Sequence, residues 1–284
     1  MWLLSTFVTM GAVLCGQLDW CSALVGSAAG FLLYSIVRTA GRLPRLMRAM
    51  QVLWLAVPLG VAAAGAAALF PDASNPFYVP AVVLALSWLL ARQEREGVLA
   101  CCTVVGFFVL AAVAIVVIFA SPDLQWSWLS PSFHWENALL ALTLGAGGML
   151  LCEICPEGKP TLPWRIAGFL APVLLCALTA GCLSPALAMR QESAFYTLSR
   201  SISVFGVVER FEALIAACLS LGIGSACAMM LHCARQLLPQ KGRDGVTAVL
   251  CLAALFGSVL SISWAILAGG TAILWLVFPL CKKN

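Results

Sequence analysis

The chain has 284 residues, 62% of them hydrophobic and 10% charged, with a formal net charge of +4 and a mean hydropathy of +1.01. A soluble domain carries roughly 25% charged residues, so this composition excludes a water-exposed globule and points to lipid as the solvent. Basic residues sit in short stretches between apolar runs, which excludes a nucleic-acid face. The apolar runs do not alternate in polarity, which excludes a transmembrane barrel.

In lipid every backbone polar group must be bonded internally, so the remaining class is a bundle of membrane helices. Ten apolar segments are predicted in chain order: 2–16, 20–37, 52–70, 77–91, 98–120, 137–154, 164–188, 207–238, 246–260 and 262–280. The last two divide a stretch that is too long for one span at about 1.5 Å per residue. The first segment lacks a basic leader and a clear cleavage site, so it is expected to be a retained helix. Thirteen cysteines lie mostly within apolar segments, where thiols behave as small hydrophobes. The whole chain is expected to form one transmembrane domain.

Charge placement orients the expected bundle. With the N-terminus inside, one side holds Arg38, Arg42, Arg45, Arg48, Arg92, Arg95, Lys159, Arg165, Arg235, Lys241, Arg243, Lys282 and Lys283, and the other only Arg190, Arg200 and Arg210. Positive charge is retained in the cytoplasm, so this bias predicts both termini inside and an even number of spans. Trp126, Trp128 and Trp135 suit an aromatic belt at the outer interface. Ten spans divide into two sets of five with opposite orientation, the inverted-repeat pattern of many secondary transporters.

In such folds the first helix of each half is often broken, and the freed backbone groups hold a substrate. The candidate ligand-binding residues are therefore Thr9 and Gly11 in the first segment and Thr143, Gly145, Gly147 and Gly148 in the sixth. Each glycine weakens a helix by roughly 1 kcal/mol relative to alanine, and a break is expected between Gly145 and Gly148. Close packing of helices through small residues is the competing reading, and it is favoured for Gly11. A second cluster, Arg200, Glu209, Arg210 and Glu212, leads into the eighth segment. It is either an interfacial cap or an ion-pair cluster that holds helices in register. Arg210 is expected to pair with a carboxylate from outside its own turn, or with Glu209 through a non-helical local backbone.

No catalytic residue, cofactor or metal site is read. Cys152-Glu153-Ile154-Cys155 lacks a second pair for zinc. His134 and His232 fall at opposite ends of their segments, unsuited to an intramembrane haem. No phosphate-binding loop, zinc-protease motif or serine elbow is present.

The stretch Leu198-Ser199-Arg200-Ser201-Ile202-Ser203, continuing to Glu209-Arg210-Phe211-Glu212-Ala213-Leu214, resembles the signature of the spore germination permease family. Asp19-Trp20, Leu33-Tyr34, Asn75-Pro76, Glu96-Gly97 and Trp128-Leu129-Ser130-Pro131 resemble further family landmarks in the right order. That family comprises the B-type subunits of nutrient germinant receptors, related to amino-acid permeases of the APC superfamily. The chain departs from it in an Arg-rich link between the second and third segments and in Ala100-Cys101-Cys102, where the family carries arginine. The family is also longer at the N-terminus, which implies a truncated first helix here. The resemblance implies a multi-pass protein of the spore's inner membrane that binds a small nutrient, such as an amino acid. A-type and C-type receptor subunits would read the resulting change of shape. An ordinary amino-acid or cation-coupled transporter and a non-transporting membrane anchor are the alternatives.

Overall fold

The structure is a computed structural model that describes residues 2–15, 18–39, 45–70, 75–129, 131–154, 162–188, 190–191, 193–201 and 211–259. The tenth predicted segment, Glu209 and Arg210 lie outside these residues. Among the described residues the secondary structure is helical, with no named strand. The helices are α1 (Trp2–Leu14), α2 (Trp20–Thr39), α3 (Arg45–Ala68), α4 (Tyr78–Ala91), α5 (Arg95–Ala120), α6 (Trp135–Ile154), α7 (Leu162–Leu183), α8 (Pro185–Ala188), α9 (Ala194–Ser201), α10 (Phe211–Leu237) and α11 (Arg243–Val259). Two single 3₁₀ turns, Ser121–Asp123 and Trp126–Trp128, lie between α5 and α6.

Four of these helices carry stretches long and apolar enough to cross a membrane: Gln51–Ala68, Arg95–Asp123, Ile166–Leu183 and Glu212–Leu237. The protein is thus helical with several membrane-compatible elements. The seventh predicted segment is shorter than expected. It ends at Leu183 because Pro185 disfavours helical geometry at the residue before it, and Ser184 adopts a left-handed φ of 66°. The third helix is longer than expected, beginning at Arg45 rather than at residue 52. Arginine and methionine are good helix formers whether or not they are in lipid.

Two helix pairs organise the bundle. Along α1 and α7, Phe7 lies on Gly168, Gly11 on Pro172 and Cys15 on Cys176. Both residue numbers rise together, so the two helices run parallel. Along α2 and α6, Ser22 meets His134, Gly26 meets Ala138 and Ala141, and Ser27 meets Gly145. This pair is parallel too. Small residues at the contacts let the backbones approach closely, the usual means of joining membrane helices without a hydrophobic driving force between them.

The centre is α10, which touches α1, α3, α4, α5, α6, α9 and α11. From Ala226 to Leu231 every residue is buried, as are Cys233 and Ala234. This second half is apolar and enclosed, as a core helix is, whereas the first half exposes Leu214 and Leu221. The outward faces instead expose large apolar side chains, including Phe107, Phe108 and Ile118 on α5 and Leu174 on α7. Such a belt suits contact with acyl chains.

Candidate functional site

Near the middle of the bundle α1, α3, α6 and α10 come together. Thr9 is buried there, and its hydroxyl donates to the Ser5 carbonyl oxygen at 2.8 Å. It lies against Gly222 of α10, where an added Cβ would stand 2.8 Å from Thr9 Oγ1. Gly65 of α3 receives the branched side chain of Val13. Thr143 on α6 is fully buried and donates to the Leu140 carbonyl oxygen at 2.7 Å. In this conformation each threonine is satisfied within its own helix, which is how hydroxyls are accommodated where water is absent.

The expected break in the sixth segment does not occur. Helix α6 runs unbroken from Trp135 to Ile154, through Gly145, Gly147 and Gly148. A Cβ on Gly145 would come within 2.5 Å of the Ser27 carbonyl oxygen and 3.0 Å of Ser27 Cα. The glycine is used for contact with α2, and unwinding would strand backbone groups in an apolar setting. Gly11 behaves alike, since its missing side chain admits Pro172 Cα at 2.7 Å from where a Cβ would be. Thr9, Gly11, Thr143 and Gly145 thus lie in closed helix contacts, with no freed backbone at Gly11 or Gly145.

Of the second cluster, Arg200 and Glu212 are described. Arg200 Nε donates to Glu212 Oε2 at 3.1 Å, joining α9 to the start of α10. Arg200 is exposed, so the pair contributes at most about 1 kcal/mol. Helix α9 itself covers one end of the bundle, touching α1, α5, α7 and α10. It drives Phe195 into full burial, and the Ala194 N–H donates to the Cys15 carbonyl oxygen.

At the same end lies a polar knot that sequence reasoning did not assemble. Asp19 caps α2, accepting from the Ser22 N–H at 2.9 Å. Its other oxygen accepts from Asn137 Nδ2 at 3.0 Å and stands 3.4 Å from His134 Nδ1. Ser22 Oγ accepts from the His134 N–H at 2.8 Å. The Asp19 side chain is 5% exposed, so the starts of α2 and α6 are tied around a buried carboxylate. The aspartate three residues before a serine is a readable helix start, but its partners at the start of α6 are more than a hundred residues away.

A second knot occupies the opposite end. Arg235, nearly buried, places Nη1 2.6 Å from Asp244 Oδ1, at an angle outside hydrogen-bond geometry. Arg92 Nη2 lies 3.9 Å from the other Asp244 oxygen, and its guanidinium stacks over Trp88 at 4.8 Å. Trp88 Nε1 donates to Thr247 Oγ1 at 3.2 Å, and Ser87 Oγ donates to the Gly224 carbonyl oxygen at 2.9 Å. His232 Nδ1 is 3.3 Å from the Ala91 carbonyl oxygen, and its other ring nitrogen is 2.9 Å from Gln236 Nε2. These contacts join α4, α10 and α11. Among the described residues, no group of three or more His, Cys, Asp and Glu converges on a metal-binding geometry.

No family model matches the chain, and no curated protein is significantly similar to it.

Proposed function

We propose that the chain is a permease-like membrane subunit of ten spans, arranged as two inverted sets of five, with both termini in the cytoplasm. It binds a small nutrient such as an amino acid between α1, α3, α6 and α10. Binding shifts the bundle between two arrangements that partner subunits read, as the resemblance to spore germination permeases implies.

The observation that carries this reading is the pairing of helices. Numbering the spans so that α10 is the eighth and α11 the ninth, an inverted repeat exchanges α1 with α6, α2 with α7, α3 with α10, and α4 with α11. The contact of α1 with α7 then becomes that of α6 with α2, and both pairs are parallel. The contact of α1 with α10 becomes α6 with α3, and α1 with α3 becomes α6 with α10. Likewise α4 with α10 becomes α11 with α3, and α3 with α4 becomes α10 with α11. Each of these exchanged contacts is present. Gly11 and Gly145 also take equivalent places, each seating the first helix of one half on the second helix of the other. Inverted-repeat permeases hold their ligand near the bilayer midplane, at the interface between the two halves.

A ligand there competes for the hydroxyls of Thr9 and Thr143 as α1 and α6 move away from α10. The test is thermal unfolding of the purified protein with each proteinogenic amino acid in turn, alongside radiolabelled uptake into proteoliposomes. At least one amino acid is expected to raise the midpoint, and the combined Thr9→Val and Thr143→Val substitutions to abolish that rise. Uptake of the same amino acid would identify a transporter, whereas binding without uptake fits a receptor. If no amino acid shifts the midpoint or accumulates, the permease reading fails and the anchor reading replaces it.

A further inference from the structure

The end of the bundle where α4 turns into α5 and α10 into α11 carries more positive charge than its own carboxylates balance. Arg92, Arg95, Arg235, Lys241 and Arg243 gather there against Glu94, Glu96 and Asp244. Asp244 divides its two oxygens between Arg235 and Arg92. Arg243 and Arg92 both repel the Arg235 charge, and Arg95 and Arg243 both act on His232. The guanidinium groups therefore crowd one small region. Arg95 Nε is buried and has no hydrogen-bond partner among the described residues. Arg92 remains half-exposed and lies loosely on the far oxygen of Asp244, and Lys241 is exposed.

The surroundings set the depth of this charge. Trp88 lies under Arg92 with its indole N–H bonded to Thr247, an amphipathic ring at the limit of the apolar surface. Farther from the rim α4 exposes Val82 and Leu86, and α11 exposes Val249 and Leu252. Apolar surface that ends in a cationic rim matches a lipid whose chains lie on the helices and whose headgroup reaches the arginines. Arginine forks bind phosphate through paired hydrogen bonds, and lysine adds a point charge.

We propose that this rim binds the phosphate of an anionic glycerophospholipid headgroup, with Arg92, Lys241 and Arg243 as its ligands. A bound phosphate would supply the counter-charge that Asp244 alone does not provide to the surrounding arginines. The inference rests on the membrane reading of the chain and is independent of whether the chain binds an amino acid.

Native mass spectrometry of the full chain in neutral detergent, with equal amounts of phosphatidylglycerol and phosphatidylcholine, tests it. Phosphatidylglycerol is expected to be retained preferentially. Each basic residue near an anionic surface contributes about fivefold, so R92Q/K241Q/R243Q is expected to lose at least roughly tenfold of that retention. R190Q, which alters an exposed arginine at the other end of the bundle, is expected to retain the lipid like the parent. K241Q alone, on a solvent-exposed side chain, is expected to lose several-fold; it serves as the test if the triple variant does not unfold with the parent's midpoint. Equal retention of both lipids, or undiminished retention by the variants, would overturn the proposal. Displacement of the lipid by millimolar inorganic phosphate would also overturn it, because the site would then be one for free anions.

Discussion

Gly26→Ala is expected to lower the stability of the protein by about 3 kcal/mol, at the upper end of what overpacking costs. A Cβ at this position would meet the Ala138 carbonyl group, with Ala138 C at 2.9 Å and Ala141 Cβ at 2.8 Å. The nearest atoms are backbone, so no side-chain rotation relieves the clash and α6 must move off α2. The same substitution at Gly97 is the control. Nothing lies within 4 Å of a Cβ there, and Gly97 falls in the first turn of α5. Removing a glycine from a helix then gains up to about 1 kcal/mol. The chain reports its own unfolding, because Cys227 and Cys233 are fully buried and become reactive to a thiol-specific fluorophore on exposure. Unfolding midpoints in micelles should therefore fall for Gly26→Ala and hold or rise for Gly97→Ala. Equal midpoints would mean that α2 and α6 are not in close contact.

Asp244→Asn is expected to cost about 2–3 kcal/mol. Breaking a fully buried ion pair costs about 3–5 kcal/mol, because the partner is left charged and uncompensated. The Arg235 side chain is 8% exposed and Asp244 is 45% exposed, so solvent screens one member and lowers the figure. Removing both charges relieves the uncompensated arginine. Arg235→Met combined with Asp244→Asn is therefore expected to be less damaging than the sum of the two single changes by at least about 1 kcal/mol. Strict additivity of the unfolding free energies would show that the two groups do not interact and that the turn from α10 to α11 is held by other contacts.

How much of this was legible in the sequence depends on the range of the interaction. Helix extents follow from local hydrophobicity, so the predicted 77–91 and the observed Tyr78–Ala91 nearly coincide, as do 137–154 and Trp135–Ile154. Local stereochemistry accounts for the misses, since Ser184 before Pro185 ends α7 within a run that remains apolar. The glycines of the sixth segment were visible, but their effect was not. Whether a glycine breaks a helix or seats a neighbour depends on what stands opposite, and Ser27 of α2 is not adjacent in sequence. The polar knot around Asp19 was half visible for the same reason: its cap on Ser22 is local, whereas His134 and Asn137 come from the residue before α6 and from its first turn. Likewise Arg235 was apparent as a charge at a segment end, and only the tight turn between α10 and α11 gives it Asp244 as a partner.

The packing of α1 on α7 is half of the exchange on which the inverted-repeat reading depends, and it can be measured directly. Cys15 Sγ and Cys176 Sγ are 3.9 Å apart, both buried, on helices separated by most of the described chain. In a variant whose other cysteines are replaced by alanine, with a protease site inserted in the 155–161 stretch, oxidation in the membrane by lipid-soluble iodine should join the two sulfurs. After proteolysis the two fragments are expected to stay together on a non-reducing gel and to separate on reduction, and Cys15→Ala is expected to abolish the link. Fragments that separate without reduction would place α1 away from α7 and contradict the five-plus-five arrangement.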